Sequence, residues 1–490
     1  MKKLNGKRQL SLMMIITFIT QFLAIYKSTI TAANFGAGTE LDAYNFSNNL
    51  ATFLLTFVAT GITTVVIPAY IKKTDSKAVD TFITSIFSTV MLLMTIMYIF
   101  RMPLVHLLTH REEQFYGFVN EFFLLTIFIQ MLPAFLGVTT AYFQCENKYN
   151  VPKIILLISN IVVVAILVAL KSFTLKTYIW ILLLGAVIQF VFDILIAVKC
   201  GFRFRLQLGI KNQEFQKLFK VFIPTVFSSG LYKVQSLIDS LLTSNIGVGQ
   251  LTILTYSNTI VGMVNNMLIN NLCVYAYPKI VKAPENEEQD ILWKYIVYFH
   301  GVICLLIVGF FAAGREFIGL LYEHGKFTPQ AADAVFICMC IYIFGQQNNI
   351  IRDLIYRFFY GHGDTKNTFK NSFMASVVNI VVSIILVIPM GVYGIVLGTV
   401  IAGLFSLISI LLRYRKSFEF KFNKKFVCTE LLKNEVALIL GAIAVFAIKK
   451  ATGIDSYIIG LFLYGAISVI VFLLVLLVTK SVVIKSVIKR

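Results

Sequence analysis

The run LLISNIVVVAILVAL, residues 156–170, carries no charged residue and decides what kind of protein this is. About 20 mainly apolar residues cross a bilayer as a helix, and here Ile154 and Ile155 extend the run still further. Comparable runs, SVIVFLLVLLV at 468–478 among them, follow one another with only short polar breaks. The whole chain agrees. Of its 490 residues 58% are hydrophobic and 14% charged, with a mean hydropathy of +0.82, against about 25% charged in soluble domains. The fold class is therefore an all-α polytopic membrane protein. A transmembrane β-barrel would show short segments of alternating polarity instead of continuous runs.

Reading outward from that stretch, apolar runs mark fourteen expected spans near 9–33, 43–70, 80–108, 118–144, 153–171, 176–199, 216–243, 251–278, 293–322, 330–358, 367–390, 392–413, 435–451 and 456–479. With a cytoplasmic amino terminus, 33 of the 43 lysines and arginines fall at inner breaks, eight near outer ends, and Lys27 and Lys233 within spans. That bias follows the positive-inside rule with both termini cytoplasmic. The net charge of +19 is thus mainly a topology signal, and nucleic acid is not an expected partner. The seven cysteines, at 145, 200, 273, 304, 338, 340 and 428, have no chain spacing that suits zinc or a disulfide framework, and they read as packing residues. The opening MKKLNGKRQLSLMMIITFIT lacks a small-residue cleavage site and reads as an uncleaved first span. The longest polar segments, around 200–217 and 413–434, are too short for a soluble domain.

Three landmarks recur at nearly one spacing. FGAG at 35–38 has a counterpart in IGVG at 246–249, VVIPAYIKK at 65–73 in VYAYPKIVK at 274–282, and YFQCENKYNVPK at 142–153 in FYGHGDTKNTFK at 359–370. The offsets imply two homologous six-span halves, and because six is even they run in the same direction across the membrane. Parallel repeats of this kind occur in alternating-access transporters. The expected organisation is a first lobe over 1–215, a second over 216–415, and two appended spans over 416–490.

FGAG is not a phosphate loop, since no strand precedes it and no GK[ST] follows; glycines in a tight turn explain it. Five scattered histidines without HExxH or GxSxG leave no evident catalytic centre. The informative residues are ionisable ones inside spans, because a charge at mid-bilayer costs a few kcal/mol or more and marks an internal cavity. They are Lys27, Asp193, Lys233 and Asp239, of which Lys27 and Asp193 can also be read as snorkelling to an interface. The eighth span, YSNTIVGMVNNMLINN at 256–271, is dense in amides, including Asn258, Asn265 and Asn266 beside Thr259; they suit a watery interior or a helix interface. Asp42, at the outer rim, reads as an N-cap of the second span or as a latch of an outer gate.

The stretches FGAGTELDAYNF (35–46), IPAYIKK (67–73), FQCENKYNVPK (143–153), LLYEHGKFTPQAADA (320–334) and FYGHGDTKNTFK (359–370) together resemble the MurJ (MviN) family. These are lipid II flippases of the multidrug/oligosaccharidyl-lipid/polysaccharide exporter (MOP) superfamily, which includes the MATE exporters. The resemblance runs through nearly the whole chain. It implies two lobes around a central cavity that opens alternately to each side and carries an undecaprenyl-diphosphate-linked glycan outward across the bacterial plasma membrane, for cell-wall or envelope polysaccharide synthesis.

Where the family's cavity is rich in arginine, this chain has Gln21 and Lys27 in the first span, Leu55 and Thr56 in the second, and Thr259 in the eighth. Only Lys27 keeps a positive charge, and a lysine offers phosphate a point charge instead of a bidentate fork. The resemblance therefore implies lipid II or a related lipid-linked repeat unit as substrate, with Lys27 at the diphosphate and Gln21, Asn258, Thr259, Asn265 and Asn266 lining the cavity. It also implies a sodium site made by Asp239, Asn379, Ser383, Ile395 and Thr399, so that a sodium gradient or the membrane potential supplies the driving force and no other cofactor is expected. Expected partners are the lipid-linked substrate, membrane lipids and envelope glycan synthases. A MATE-like multidrug exporter and a membrane enzyme or scaffold of envelope assembly are the alternative readings.

Overall fold

A computed structural model describes residues 6–484 apart from 72–74, 147, 210, 285, 420 and 455, together with most of their side chains. Among the described residues the regular structure is entirely helical. The first unit holds α1 (Gly6–Phe35), α2 (Thr39–Ile71), α3 (Ser76–Ile99), α4 (Arg101–Leu108), α5 (Glu113–Phe135), α6 (Gly137–Cys145), α7 (Asn150–Ala169), α8 (Leu175–Lys199) and α9 (Gln213–Ser244). Next come α10 (Gln250–Val264), a π-helical turn (Asn265–Ile269) and α11 (Asn270–Val281). The second unit continues with α12 (Glu288–Tyr322), α13 (Pro329–Gly361), α14 (Thr365–Met390), α15 (Val392–Ser417), α16 (Lys424–Thr452) and α17 (Tyr457–Val478). Eleven described helices are long and apolar enough to cross a membrane. The count omits α2, α9 and the α10–α11 rod, where the second, seventh and eighth spans are expected and where some side chains lie outside the described residues.

Local chemistry sets the boundaries. Side-chain oxygens of Asp75, Thr174, Asn212, Thr328, Asp364 and Asn423 accept backbone N–H groups at the starts of α3, α8, α9, α13, α14 and α16, satisfying donors that an N-terminus leaves unpaired. Backbone and side-chain donors of Asn367 hold the Asp364 carboxyl below its ordinary range, so this cap persists at neutral pH. Gly391, at φ +57°, turns the chain between α14 and α15, a conformation that a Cβ would strain. Two expected spans are interrupted. The third breaks at Phe100 into α3 and α4. The fourth breaks at Leu136 into α5 and α6, just after Pro133, whose ring removes a helix hydrogen bond.

By packing, the chain divides into Met1–Thr252 and Ile253–Arg490. In the first unit α2 is the central rod, packed on α5, α6 and α9, while α7 lies between α1 and α8. Its core is aromatic and aliphatic, with Phe46, Phe82, Phe115 and Phe123 almost wholly buried. In the second unit α12 carries α13 on one side and both α16 and α17 on another, and α15 joins α13 to α14. The YEHGKFT segment is explained by packing: Tyr322 is fully buried and stacks on Tyr256 at 4.7 Å, with Phe327 closing the cluster. Unlike the other cysteines, Cys428 is exposed, so it is not the packing residue expected.

Candidate functional site

The first candidate centre lies where the two loops paired by the repeat meet. Gly249 has φ +80°, and a Cβ there would sit 2.7 Å from the Ala37 carbonyl oxygen, so IGVG rests directly on FGAG. Beside this contact Asp42 is completely buried. Its carboxylate accepts from Gly249 N at 2.7 Å, from Thr252 N at 3.0 Å and from Thr252 Oγ1 at 2.8 Å, and it pairs with Arg111 Nη2 at 3.1 Å. Asp42 therefore caps α10 and not its own helix α2. The reason is geometric: Asp42 lies inside the first turn of α2, whereas the first free N–H groups of α10 point straight at it.

Arg111 is itself nearly buried and also donates to the Ser244 carbonyl at 3.0 Å, so one guanidinium ties the end of α9 to Asp42. Around it Asn245 Oδ1 accepts from His110 N, Asn49 Nδ2 donates to Ser240 Oγ, and Asn45 Nδ2 donates to Thr252 Oγ1. Arg111, Thr252 and Asn245 carry no motif that flags them. Their partners are 69 to 210 residues away, so only folding brings the set together.

The second centre is Lys27. Its Nζ donates to Asn160 Oδ1 on α7 at 2.6 Å, and Asn160 is oriented by its own bond to the Leu156 carbonyl. Lys27, half-buried, is thus tied to α7 across the α1–α7 seam. The Asp193 side chain on α8 is wholly buried and does not reach the surface. Gln21 is half-buried on α1 and six residues from Lys27, so the two do not share one helix face. The side chain of Lys233 lies outside the described residues. Leu55 is buried, and the Thr56 side chain lies outside the described residues.

The amides of the eighth span separate into different environments. Asn258 and Asn266 are exposed, Asn265 is half-buried, and Thr259 turns its hydroxyl back to the Thr255 carbonyl. Asn265 and Asn266 open the π turn, a rare geometry frequent at functional sites.

Four of the five residues expected around sodium come together in the second unit. Asn379 Nδ2 donates to Thr399 Oγ1 at 3.0 Å, and the Ile395 carbonyl receives the hydroxyls of Thr399 and Ser383 at 3.4 and 3.5 Å. Asn379 Oδ1 is buried with no hydrogen-bond partner, an orphaned hard acceptor that suits a small cation. Asp239 is buried on α9 in the first unit. Elsewhere in the second unit an apolar groove of about 380 Å³ runs along Phe311, Ala442, Ile443, Val445 and Phe446, with Lys449 at its edge.

The family model described as lipid II flippase MurJ matches residues 31–476. The chain belongs to the MurJ family. Relatives named probable lipid II flippase MurJ include that of Helicobacter pylori J99, 22% identical over 59% of this chain and 66% of that protein. That of Synechocystis sp. is 24% identical over 80% of this chain and 78% of its own length. The chain thus spans just under two thirds of the Helicobacter relative and more of the cyanobacterial one. Among solved structures, a lipid II flippase MurJ in an inward closed conformation matches with a TM-score of 0.81 at 20% identity, covering 97% of this chain and 99% of that one. An inward-facing MATE family multidrug resistance transporter of the MOP superfamily matches with a TM-score of 0.63 at 15% identity, covering 81% and 94%. The MurJ-like fold thus extends over a part of the chain that the MATE match leaves uncovered.

Proposed function

We propose that the protein moves an undecaprenyl-diphosphate-linked glycan precursor, lipid II or a related repeat unit, from the inner to the outer leaflet of the bacterial plasma membrane. The observation that carries this reading is the MurJ family match along residues 31–476. Transport proceeds by alternating access of two six-span lobes, 1–215 and 216–415. Lys27 meets the diphosphate, giving up Asn160 as its partner. Gln21 and the polar residues Asn258, Thr259, Asn265 and Asn266 meet sugar hydroxyls. Asp42 is the latch that opens once per cycle, and the groove along α16 shelters part of the prenyl chain.

The test is replacement in a bacterium depleted of its own lipid II flippase. Rescue of growth by this chain, together with co-purification of a polyprenyl-diphosphate sugar of lipid II mass, is the expected result. A co-purifying species of another glycan mass would assign the transporter to that repeat unit. Lys27→Ala should cut transport at least tenfold while Lys27→Arg retains it, since only the second keeps a cation for the phosphates.

The orphaned Asn379 Oδ1 supports a sodium ion bound by Asp239, Asn379, Ser383, Ile395 and Thr399. Sodium would neutralise the buried Asp239 carboxylate and couple its gradient to the cycle. Replacing sodium with choline should lower both transport and the unfolding temperature of the wild type, and Asp239→Asn should remove that difference. Equal behaviour in the two salts for both proteins would sink sodium coupling and leave the membrane potential as the driving force.

A further inference from the structure

Between α12 and α16, away from every residue assigned above, three side chains of different metal-binding chemistry meet. His300 Nε2 lies 3.2 Å from Glu435 Oε1, and Cys304 Sγ lies 3.6 Å from His300 Nδ1 and 3.9 Å from Nε2. One donor atom from each falls within 4.8 Å of the other two. His300 and Cys304 stand one helical turn apart on the same face of α12 and are buried, while Glu435 reaches across from α16 with 34% of its side chain accessible. Next to it Asn434 is wholly buried, with Nδ2 3.1 Å from the Val297 carbonyl and 3.4 Å from His300 Nδ1, and with Oδ1 unpartnered.

We infer that His300, Cys304 and Glu435 form a binding site for a borderline divalent transition metal, zinc in the first instance, that clamps α16 to α12. In tetrahedral zinc, bonds of roughly 2.0–2.3 Å put neighbouring donors about 3.4–3.6 Å apart, close to the His300–Glu435 and His300–Cys304 separations, and Cys304 and Glu435 are within 4.8 Å of each other. Thiolate and imidazole suit zinc in place of calcium or magnesium, which take oxygen ligands. Charge favours the assignment as well. Glu435 has no lysine or arginine partner among the described salt bridges; Lys433 is taken by Glu430.

Binding transfers the Cys304 thiol proton to solvent as the sulfur–metal bond forms, and neutral imidazole donates a lone pair. One M²⁺, one thiolate and one carboxylate then sum to zero, the charge an apolar surrounding tolerates best. Asn434 Oδ1, after rotation of the amide, or a water completes the fourth position, and the partly accessible Glu435 provides the entry path. The signal was invisible along the chain because Glu435 is 131 positions beyond Cys304 and comes from another helix.

The test uses the full-length protein, stripped with a chelator and carrying Cys428→Ser because Cys428 is exposed. Titration with Co²⁺ should give one equivalent of binding with a thiolate-to-cobalt charge-transfer band in the near ultraviolet. Zn²⁺ should displace the Co²⁺ and raise the unfolding temperature. Cys304→Ser should abolish the band, and Glu435→Gln should weaken binding at least tenfold with the fold retained. A band that persists in Cys304→Ser, or an unfolding temperature indifferent to Zn²⁺ in the parent protein, would overturn the site and leave a hydrogen-bonded His300–Glu435 pair.

Discussion

Asp42 concentrates a large amount of chemistry in one carboxylate: three donors from the start of α10 and a guanidinium from Arg111, all out of water. Removing one member of a buried ion pair costs about 3–5 kcal/mol, because the other charge stays buried without compensation. Asp42→Ala should therefore lower the unfolding temperature more than the double variant Asp42→Ala/Arg111→Ala, which leaves no stranded charge. Thermal unfolding of the four proteins of this cycle checks the prediction; strict additivity would mean that the two residues do not act together. The sequence showed that an acid stood at this rim and that it could cap or latch. It could not show which helix is capped, since Gly249 and Thr252 are more than 200 residues away. Lys27 teaches the same lesson: an intramembrane lysine is visible in one dimension, but its Asn160 partner is not.

The α10–α11 rod shows how an element can hide a register change. Its buried positions among the described residues are 251–254, 256, 257, 260 and 261, then 269, 273, 276 and 280. An uninterrupted α-helix of 3.6 residues per turn would carry the inward stripe from 257 and 261 to 268, 272, 275 and 279. Those would bring Tyr275 and Lys279 inward, yet both are exposed. The π turn at Asn265–Ile269 absorbs one residue and returns the stripe to Cys273, Ala276 and Ile280. Apolar periodicity made the existence of this rod legible, but alternate leucines at 268 and 272 concealed the shift. Deleting Asn266 should convert the bulge to regular helix while both flanking helices keep their buried faces. The expected variant inserts and unfolds within a few degrees of the parent but loses transport. Loss of folded protein would show instead that the bulge is needed for packing.

For the molecule as a whole, the helical class was legible because greasy runs leave few alternatives in lipid. The break at Leu136 had a visible cue in Pro133, but the one at Phe100 was less legible, because tertiary packing decides where that rod bends. Orientation rests on charge: lysine and arginine are costly to move across the membrane, and 33 of 43 lie at breaks of one parity. That parity depends on every span being counted, and α10–α11 is one that apolarity and described side chains do not certify. The two ends of this rod therefore offer the most demanding test. Val248, 53% exposed, precedes α10, and the exposed Lys282 follows α11. In a cysteine-free background, Val248→Cys should react with a membrane-impermeant maleimide on intact cells, while Lys282→Cys should react only after lysis. Labelling of both on intact cells would mean that the rod does not cross. Labelling of Lys282→Cys alone would invert the whole bundle. The expected pattern places the basic 282–294 break in the cytoplasm and, with an odd number of crossings on each side of it excluded, both termini there as well.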